Sequence, residues 1–408
     1  MRALLVLLLL LPTRSLGGAQ EAESLRIGAA EYRKRQTTLA GKLPGAAIVL
    51  DAGPLGEVGA DRNTPVFDFK YLCGVHEENG ILVLLGGKLT VFLADPRTTA
   101  PGADEVLPLG RFGAWAEEHL AGQPKVYVKL RERDLEILTQ AVPKTEIVGS
   151  RVASEILRMR IVKSDAEIRL MKKAATATNQ AHLAAMRALK PGMNERELQA
   201  VIEGTFKKEG CPELGFPSII AAGKNGTILH YMKNNQEIPK DTLIVCDIGS
   251  GIENYVTDIT RTLPTSGTFS EEQRKHYQCV LDAQKAAEAI LRPGVSFIDL
   301  EHAARKVFED RGLTKWSYGH SKDDGVRHGL GHTVGMAVHD SQGGYRDPFK
   351  PGMVITIEPG WYDKDNGYGI RIEDTYLVTP EGFERLSAGA PREIDEIEKV
   401  MKGAKKDF

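Results

Sequence analysis

At 408 residues the chain exceeds what one ordinary hydrophobic core organises, so two domains are expected. A composition of 42% hydrophobic and 26% charged residues is that of a globular protein. The net charge of −2, with no basic block interleaved with aromatics, gives no reason to expect nucleic acid or an anionic membrane as a partner.

The first residues read as a signal peptide spanning 1–19. Met1-Arg2 is a short positive segment, Ala3 to Leu11 is apolar, and Gly17-Gly18-Ala19 supplies small residues before Gln20. The apolar run is far shorter than the roughly 20 residues that span a bilayer. No membrane span is therefore expected, and the mature chain is expected to be exported, either periplasmic or secreted. Cys73, Cys211, Cys246 and Cys279 are scattered without CxxC spacing, which gives no support to a zinc ribbon or redox motif. Export would permit disulfides, but the spacing does not pair them. Cys246 sits in an apolar run and reads as a small buried hydrophobe.

From Ala22 to Leu39 the pattern is polar and helical, after which strands and helices alternate. Ala46 to Leu50 reads as a buried strand. Ile81 to Leu85 and Leu89 to Leu93 flank Gly86-Gly87-Lys88 as a hairpin. Phe112 to Leu120 is an amphipathic helix, Val126 to Lys129 a short strand and Asp134 to Gln140 another helix. Residues 20–160 thus read as a small α/β domain without a compact cluster of catalytic residue types. A boundary is expected near Ser150 to Lys163. Ser164 and Glu167 form a capping box for an Ala-rich helix that runs to Leu189, where Lys190-Pro191-Gly192 stops it. Asn194 and Glu197 open the next helix.

Residues 161–408 carry an internal repeat. Lys190-Pro191-Gly192-Met193 recurs as Arg292-Pro293-Gly294-Val295, and at the same offset Leu198, Phe206 and Gly210 answer Leu300, Phe308 and Gly312. Further on, Ile244-Val245-Cys246-Asp247-Ile248-Gly249 resembles Val354-Ile355-Thr356-Ile357-Glu358-Pro359-Gly360 in pattern. Each copy then places a second acid, Asp258 or Glu373, on a second apolar strand. Two such halves around a pseudo-twofold axis bring the four carboxylates together. Read singly, Asp247 would cap a turn, Asp258 would pair with Arg261, and Glu373 with Arg371. Carboxylates in apolar strands are costly unless paired, and this duplicated set points to cations.

Three of the ten histidines lie in the run from His328-Gly329-Leu330-Gly331-His332 to Val338-His339-Asp340. A zinc helix with ligands at i and i+4 fits poorly, because Gly329 and Gly331 disfavour helix. The glycines suggest instead a close approach of backbone. One imidazole added to four carboxylates gives a set that two divalent ions would neutralise. An oxygen-rich set with one imidazole suits Mn²⁺, with Co²⁺ or Zn²⁺ as options.

The region from Ser164 to Met401 resembles the pita-bread metallopeptidases, which include methionine aminopeptidase, prolidase and aminopeptidase P. The motifs occur in the family's order: Ile228-Leu229-His230-Tyr231, Asp247-Ile248-Gly249, Thr257-Asp258-Ile259-Thr260-Arg261-Thr262, His328-Gly329-Leu330-Gly331-His332, Val338-His339-Asp340, Glu358-Pro359-Gly360 and Ile370-Arg371-Ile372-Glu373-Asp374. The preceding domain resembles the creatinase-type domain of the proline-specific members. The resemblance implies an α+β fold in which a duplicated catalytic domain follows a smaller α/β domain. It implies that Asp247 chelates one metal, Asp258 and Glu373 bridge both, and His332 and Glu358 complete the other. It also implies that His230 and His339 line the substrate pocket, and that His328 hydrogen-bonds near the scissile group. Arg371 would shape the site or meet a substrate carboxylate.

The reaction implied is hydrolysis of an N-terminal Xaa-Pro bond by a bridging hydroxide, with Glu358 shuttling the proton to the leaving nitrogen. The substrates would be peptides with proline in second position, and the chain would form a homo-oligomer, dimer or tetramer. A strict Xaa-Pro dipeptidase shares every ligand named, and a non-catalytic peptide-binding protein of this fold is the alternative from another class. One departure stands out. Proline-specific relatives carry an Arg-Gln-Asp/Asn-Ser run before a Phe-x-Tyr-Leu-x-Gly strand. Here Thr64-Pro65-Val66-Phe67 stands ahead of Phe69-Lys70-Tyr71-Leu72-Cys73-Gly74.

Overall fold

The computed structural model describes residues 25–54, 65–149, 151–319, 328–341 and 343–404, and the expected signal peptide lies outside them. No helix among the described residues is long and apolar enough to cross a membrane. All four cysteines are buried and free.

The strand Ala47–Asp51 organises the first region. Its alternating side chains face opposite ways, so Ala47 and Val49 join one apolar cluster while Ile48 and Leu50 join another. It pairs antiparallel with Ile81–Leu85 and parallel with Lys125–Lys129 at the centre of a six-stranded sheet. Ile81–Leu85 turns back into Lys88–Leu93 as the expected hairpin, with Gly86 and Gly87 both at positive φ (57° and 81°), the backbone a tight hairpin turn requires. The edge strands Glu105–Pro108 and Glu146–Val148 were not evident from sequence, because they are short and half exposed. Phe112–Leu120 and Glu132–Ala141 cover one face of the sheet. Ala29–Lys42 lies on the other with Pro65–Cys73.

Pro65–Cys73 corrects an expectation. The Phe69 to Gly74 run was expected to be a strand, and it is helical up to Cys73. Pro65 suits a first helical position, where its missing N–H costs nothing. The run also buries Asp68 and Lys70 together with Phe69 and Tyr71, which a two-sided strand alternation does not describe. The stretch expected to be a boundary is itself a helix, Arg151–Ile161, which buries Val152, Ile156 and Arg160.

Beyond it the duplication is visible element for element. Ser164 and Glu167 cap Asp165–Ala188, and Ser270 and Gln273 cap Glu271–Glu288 in the same way. Gly192 (φ 85°) and Gly294 (φ 90°) make the matching turns into Glu195–Lys208 and Phe297–Asp310. Gly210 and Gly312 end those helices in left-handed backbone. Leu198, Phe206, Leu300 and Phe308 meet in one core cluster. The strands Leu243–Ile248 and Ile259–Pro264 pair antiparallel in one half, and Val354–Ile357 and Asp374–Val378 pair antiparallel in the other. This is the duplicated pita-bread arrangement, in an α+β chain.

Arg261 fastens the halves to each other. Its fully buried guanidinium donates to the carbonyls of Thr260, Glu373, Pro391 and Ala390 and to Asp374 Oδ1, at 2.6 to 2.9 Å. Arg261 therefore meets Asp374, not Asp258. Replacing it by Met strands these buried acceptors and should destabilise the protein by about 3 kcal/mol or more. Denaturant unfolding monitored by tryptophan fluorescence would measure this, and a loss below about 1 kcal/mol would contradict the clamp.

Candidate metal centre

Each half places its second acid by the same local device. Asp247 lies in Leu243–Ile248, flanked by the strands Ile219–Ala222 and Ile259–Pro264. Asp258 sits one residue ahead of Ile259–Pro264, and Glu373 sits between Tyr368–Arg371 and Asp374–Val378. The expected strand positions for these two are thus strand junctions. There the halves meet: Thr260 and Glu373 exchange backbone hydrogen bonds of 3.3 and 3.1 Å. Thr260 Oγ1 donates to Glu373 Oε2 at 2.6 Å, and Thr375 Oγ1 donates to the Asp258 carbonyl at 2.6 Å. A threonine two residues after each acid therefore orients the acid of the opposite half. Sequence reasoning missed this, although the spacing is the same in Asp258-Ile259-Thr260 and Glu373-Asp374-Thr375.

The histidine stretch runs alongside Val354–Ile357. Thr356 N–H donates to the His332 carbonyl at 2.8 Å, Glu358 N–H to the Leu330 carbonyl at 2.8 Å, and Thr333 bridges to Ile355. A Cβ on Gly331 would stand 2.1 Å from the Thr356 carbonyl oxygen, so only glycine permits this approach. In extended backbone His328 and His332 do not share a helical face. His332 Nδ1 lies 3.2 Å from the Thr333 carbonyl, which only accepts, so that nitrogen carries a hydrogen. Nε2 turns to the acids, 3.3 Å from Glu358 Oε1, 3.5 Å from Asp258 Oδ2 and 4.0 Å from Glu373 Oε1.

These residues fit a cation site. Ligand atoms of Asp258, His332 and Glu373 all lie within 4.8 Å of one another. Asp247 Oδ1, Asp258 Oδ1 and Glu373 Oε1 are buried without a hydrogen-bond partner. Buried carboxylate oxygens left bare in this way are costly and mark the place of a cation. Their protonation agrees. Burial and the neighbouring Asp247 charge push Asp258 up to about 8, and burial with the Asp258 charge pushes Glu373 well above the carboxylate range. Burial opposes the His332 imidazolium, but its hydrogen bonds to Asp258 and Glu358 outweigh burial and raise it well above the usual histidine value. Without metal, protons take the place of the missing positive charge.

Asp247 holds the other side. Its Oδ2 accepts from Arg371 Nη2 at 2.7 Å. Arg371 is buried and donates further to Tyr362 OH at 3.2 Å and Thr260 Oγ1 at 3.3 Å. It thus pairs with Asp247 rather than Glu373, and of its two implied roles these partners support shaping the site. Tyr362 OH lies 2.8 Å from His328 Nε2, while His328 Nδ1 lies 2.8 Å from the Gly329 carbonyl and 3.7 Å from Glu358 Oε2. Nδ1 therefore carries the hydrogen and Tyr362 donates to Nε2. Tyr362, four residues after Glu358, was another omission of the sequence reading. His230 and His339 lie on the solvent side. Both are exposed, and the His339 ring stands edge-on to His332 at 4.5 Å. Although the residue is exposed, desolvation by the protein packed around its ring, then the charges of His332 and His230, bring His339 down to about 4, so it is neutral at neutral pH.

Comparison with known proteins agrees with this arrangement. Xaa-Pro aminopeptidase 1 of Streptomyces coelicolor is 32% identical, over 92% of this chain and 88% of that protein. The solved structure of Pseudomonas aeruginosa aminopeptidase PepP is 30% identical and superposes with a TM-score of 0.82, over 94% of this chain and 100% of that one. Zinc-substituted Escherichia coli aminopeptidase P in complex with product is 26% identical with a TM-score of 0.82, over 93% of this chain and 99% of that one. Residues 169–380, which hold every candidate ligand, match the model of metallopeptidase family M24. The chain therefore belongs to metallopeptidase family M24.

Proposed function

We propose that the protein is an Xaa-Pro aminopeptidase, which hydrolyses the bond between an N-terminal residue and proline with two divalent metal ions held by Asp247, Asp258, His332, Glu358 and Glu373. The observation that carries this reading is the set of bare, buried oxygens on Asp247, Asp258 and Glu373, together with His332 Nε2 standing 3.3 to 4.0 Å from carboxylate oxygens of Glu358, Asp258 and Glu373. The names of the relatives support the proline-specific substrate. The oxygen-rich donor set with a single imidazole supports Mn²⁺ as the native metal. The short positive segment and apolar run of residues 1–19 support export before the enzyme acts.

When bound, the metal pair supplies activation of the attacking water and polarisation of the scissile carbonyl. The protein supplies the rest. The nitrogen of an Xaa-Pro bond carries no hydrogen, so it must gain a proton to leave. Glu358, half buried at the solvent side of the acids, is the base that takes this proton from water and returns it to the proline nitrogen. Thr356 Oγ1 donates to Glu358 Oε1 at 3.3 Å, and His328, held in one tautomer by Gly329 and Tyr362, stands 3.7 Å from the other oxygen. Neutral His339, with its ring exposed beside His332, donates to the oxygen of the scissile carbonyl as negative charge develops there. His230 faces the same space and orients the peptide backbone.

With Mn²⁺, the purified protein should cleave both an Xaa-Pro dipeptide and an Xaa-Pro-Xaa tripeptide, as read by chromatography of the released residue. Cleavage of the dipeptide alone would replace this reading by a dipeptidase, and cleavage of neither with Mn²⁺, Co²⁺ or Zn²⁺ would remove it. Asp258→Asn should abolish turnover, and wild-type rates with both ions retained would refute its place in the site. His332→Ala should lose metal, measured by inductively coupled plasma mass spectrometry. His339→Ala should keep metal and lose about a hundredfold or more in kcat; the reverse pattern would exchange the two roles. Metal uptake should also release protons. Asp258, raised to about 8, and His332, raised well above its usual range, hold theirs near pH 6.5 without metal, so affinity should rise with pH up to about 8. Calorimetry in buffers of differing ionisation heat at pH 6.5 tests this, and uptake without proton release would contradict it.

A further inference from the structure

The loop that carries His339 is tied to the first region by a line of buried charges. Asp340 follows His339 directly and is buried. Within the loop, its Oδ1 accepts from Ser341 N–H at 2.7 Å and its Oδ2 from Met336 N–H at 3.1 Å. A Cβ on Gly335 would stand 1.9 Å from Asp340 Oδ2, so glycine makes room for the carboxylate. Outside the loop, Asp340 Oδ1 accepts from Arg160 Nη2 at 2.6 Å. Arg160 Nη1 donates at 2.9 Å to Asp68 Oδ1, whose Oδ2 meets Lys129 at 2.5 Å. Signs alternate along this line, and the Arg160, Asp68 and Asp340 side chains are at most 1% exposed. Two acids buried this deeply need the cation between them. A guanidinium suits the task because its planar fork reaches two carboxylates at once. The Lys163 ammonium, 3.8 Å from Asp340, does not. Arg160 also lies over the Phe67 ring at 5.8 Å. Phe67, from the run in which this chain departs from its proline-specific relatives, therefore sits against Arg160. The apolar residues Val334, Met336 and Val338 of the same loop pack in one cluster with Phe69 and Leu72.

We propose that Arg160 is a positioning residue for the reaction: by bridging Asp68 and Asp340 it sets His339 over the metal site, so that the amino-terminal region governs turnover without touching the peptide. This rests on the peptidase reading above. It is tested on the full chain with Arg160→Met, Arg160→Lys and the double variant Asp68→Asn/Arg160→Met. In Arg160→Met, kcat on an Xaa-Pro-Xaa tripeptide should fall about ten- to hundredfold with metal content unchanged, while KM shifts by less than about threefold. Arg160→Lys should not restore it. The double variant removes one of the two acids that Arg160→Met leaves facing each other, so its melting temperature should recover while kcat stays low.

A second measurement stands apart from activity. In zinc-loaded, ¹³C-histidine protein, the His339 ring signal, identified by its loss in His339→Gln, should move in both Met-containing variants. That signal is readable even if the parent cleaves no Xaa-Pro peptide, so failure of the peptidase reading and failure of this proposal are distinguishable. A kcat within about twofold of the parent, a kcat that recovers together with stability in the double variant, or an unmoved His339 signal would each overturn the proposal.

Discussion

The structure turns on the crowding of acids in a place with little water. Asp247, Asp258 and Glu373 are buried, Glu358 is half buried, and His332 Nε2 stands within 4.0 Å of three of the four. Repulsion at this density cannot be relieved by packing, and the protein relieves it in two ways. Arg371 neutralises Asp247, and Asp258, Glu373 and His332, all raised above their usual ranges, hold protons. The first way is permanent and the second is exchangeable. A divalent cation held here would displace the exchangeable protons and leave the Arg371–Asp247 pair in place.

Holding such a site open requires a frame stiffer than the repulsion inside it. The duplicated halves provide that frame by reaching across to each other. Thr260 of the first half orients Glu373, Thr375 of the second orients Asp258, and Arg261 closes the seam on four carbonyls and Asp374. Behind Asp247 a hydrogen-bonded chain runs through Arg371 and Tyr362 to His328, whose ring stands 3.7 Å from Glu358. The proposed metal ligands thus depend on contacts between halves, and neither half holds the site alone. The first region joins this frame through Arg160 and through a core cluster shared with the His339 loop.

Much of this was legible in the sequence where a physical rule leaves few choices. The repeat was readable because Pro-Gly turns, C-terminal glycines and core positions recur at one offset. The acids stood out because charge in an apolar strand demands a partner. The histidine stretch was correctly denied a helix by its glycines, and Gly331 meets the Thr356 carbonyl as a close approach would require. What was missed depends on contacts far apart in the chain. The pairing of Arg261 with Asp374 and of Arg371 with Asp247 follows from sheet register across the halves, and local spacing suggested the wrong acid in each case. The helix Pro65–Cys73 was mistaken for a strand because tertiary ion pairs, not alternation, decide the burial of Asp68 and Lys70. The edge strands Glu105–Pro108 and Glu146–Val148 are too short to show a period.

The central claim is that five side chains from both halves hold two cations in one place. Anomalous diffraction at the manganese edge, from crystals grown with Mn²⁺, tests it most directly. The account predicts two peaks with Asp258 and Glu373 between them, Asp247 on one, and His332 and Glu358 on the other. A single peak away from His332, or manganese bound elsewhere while these acids stay bare, would contradict it.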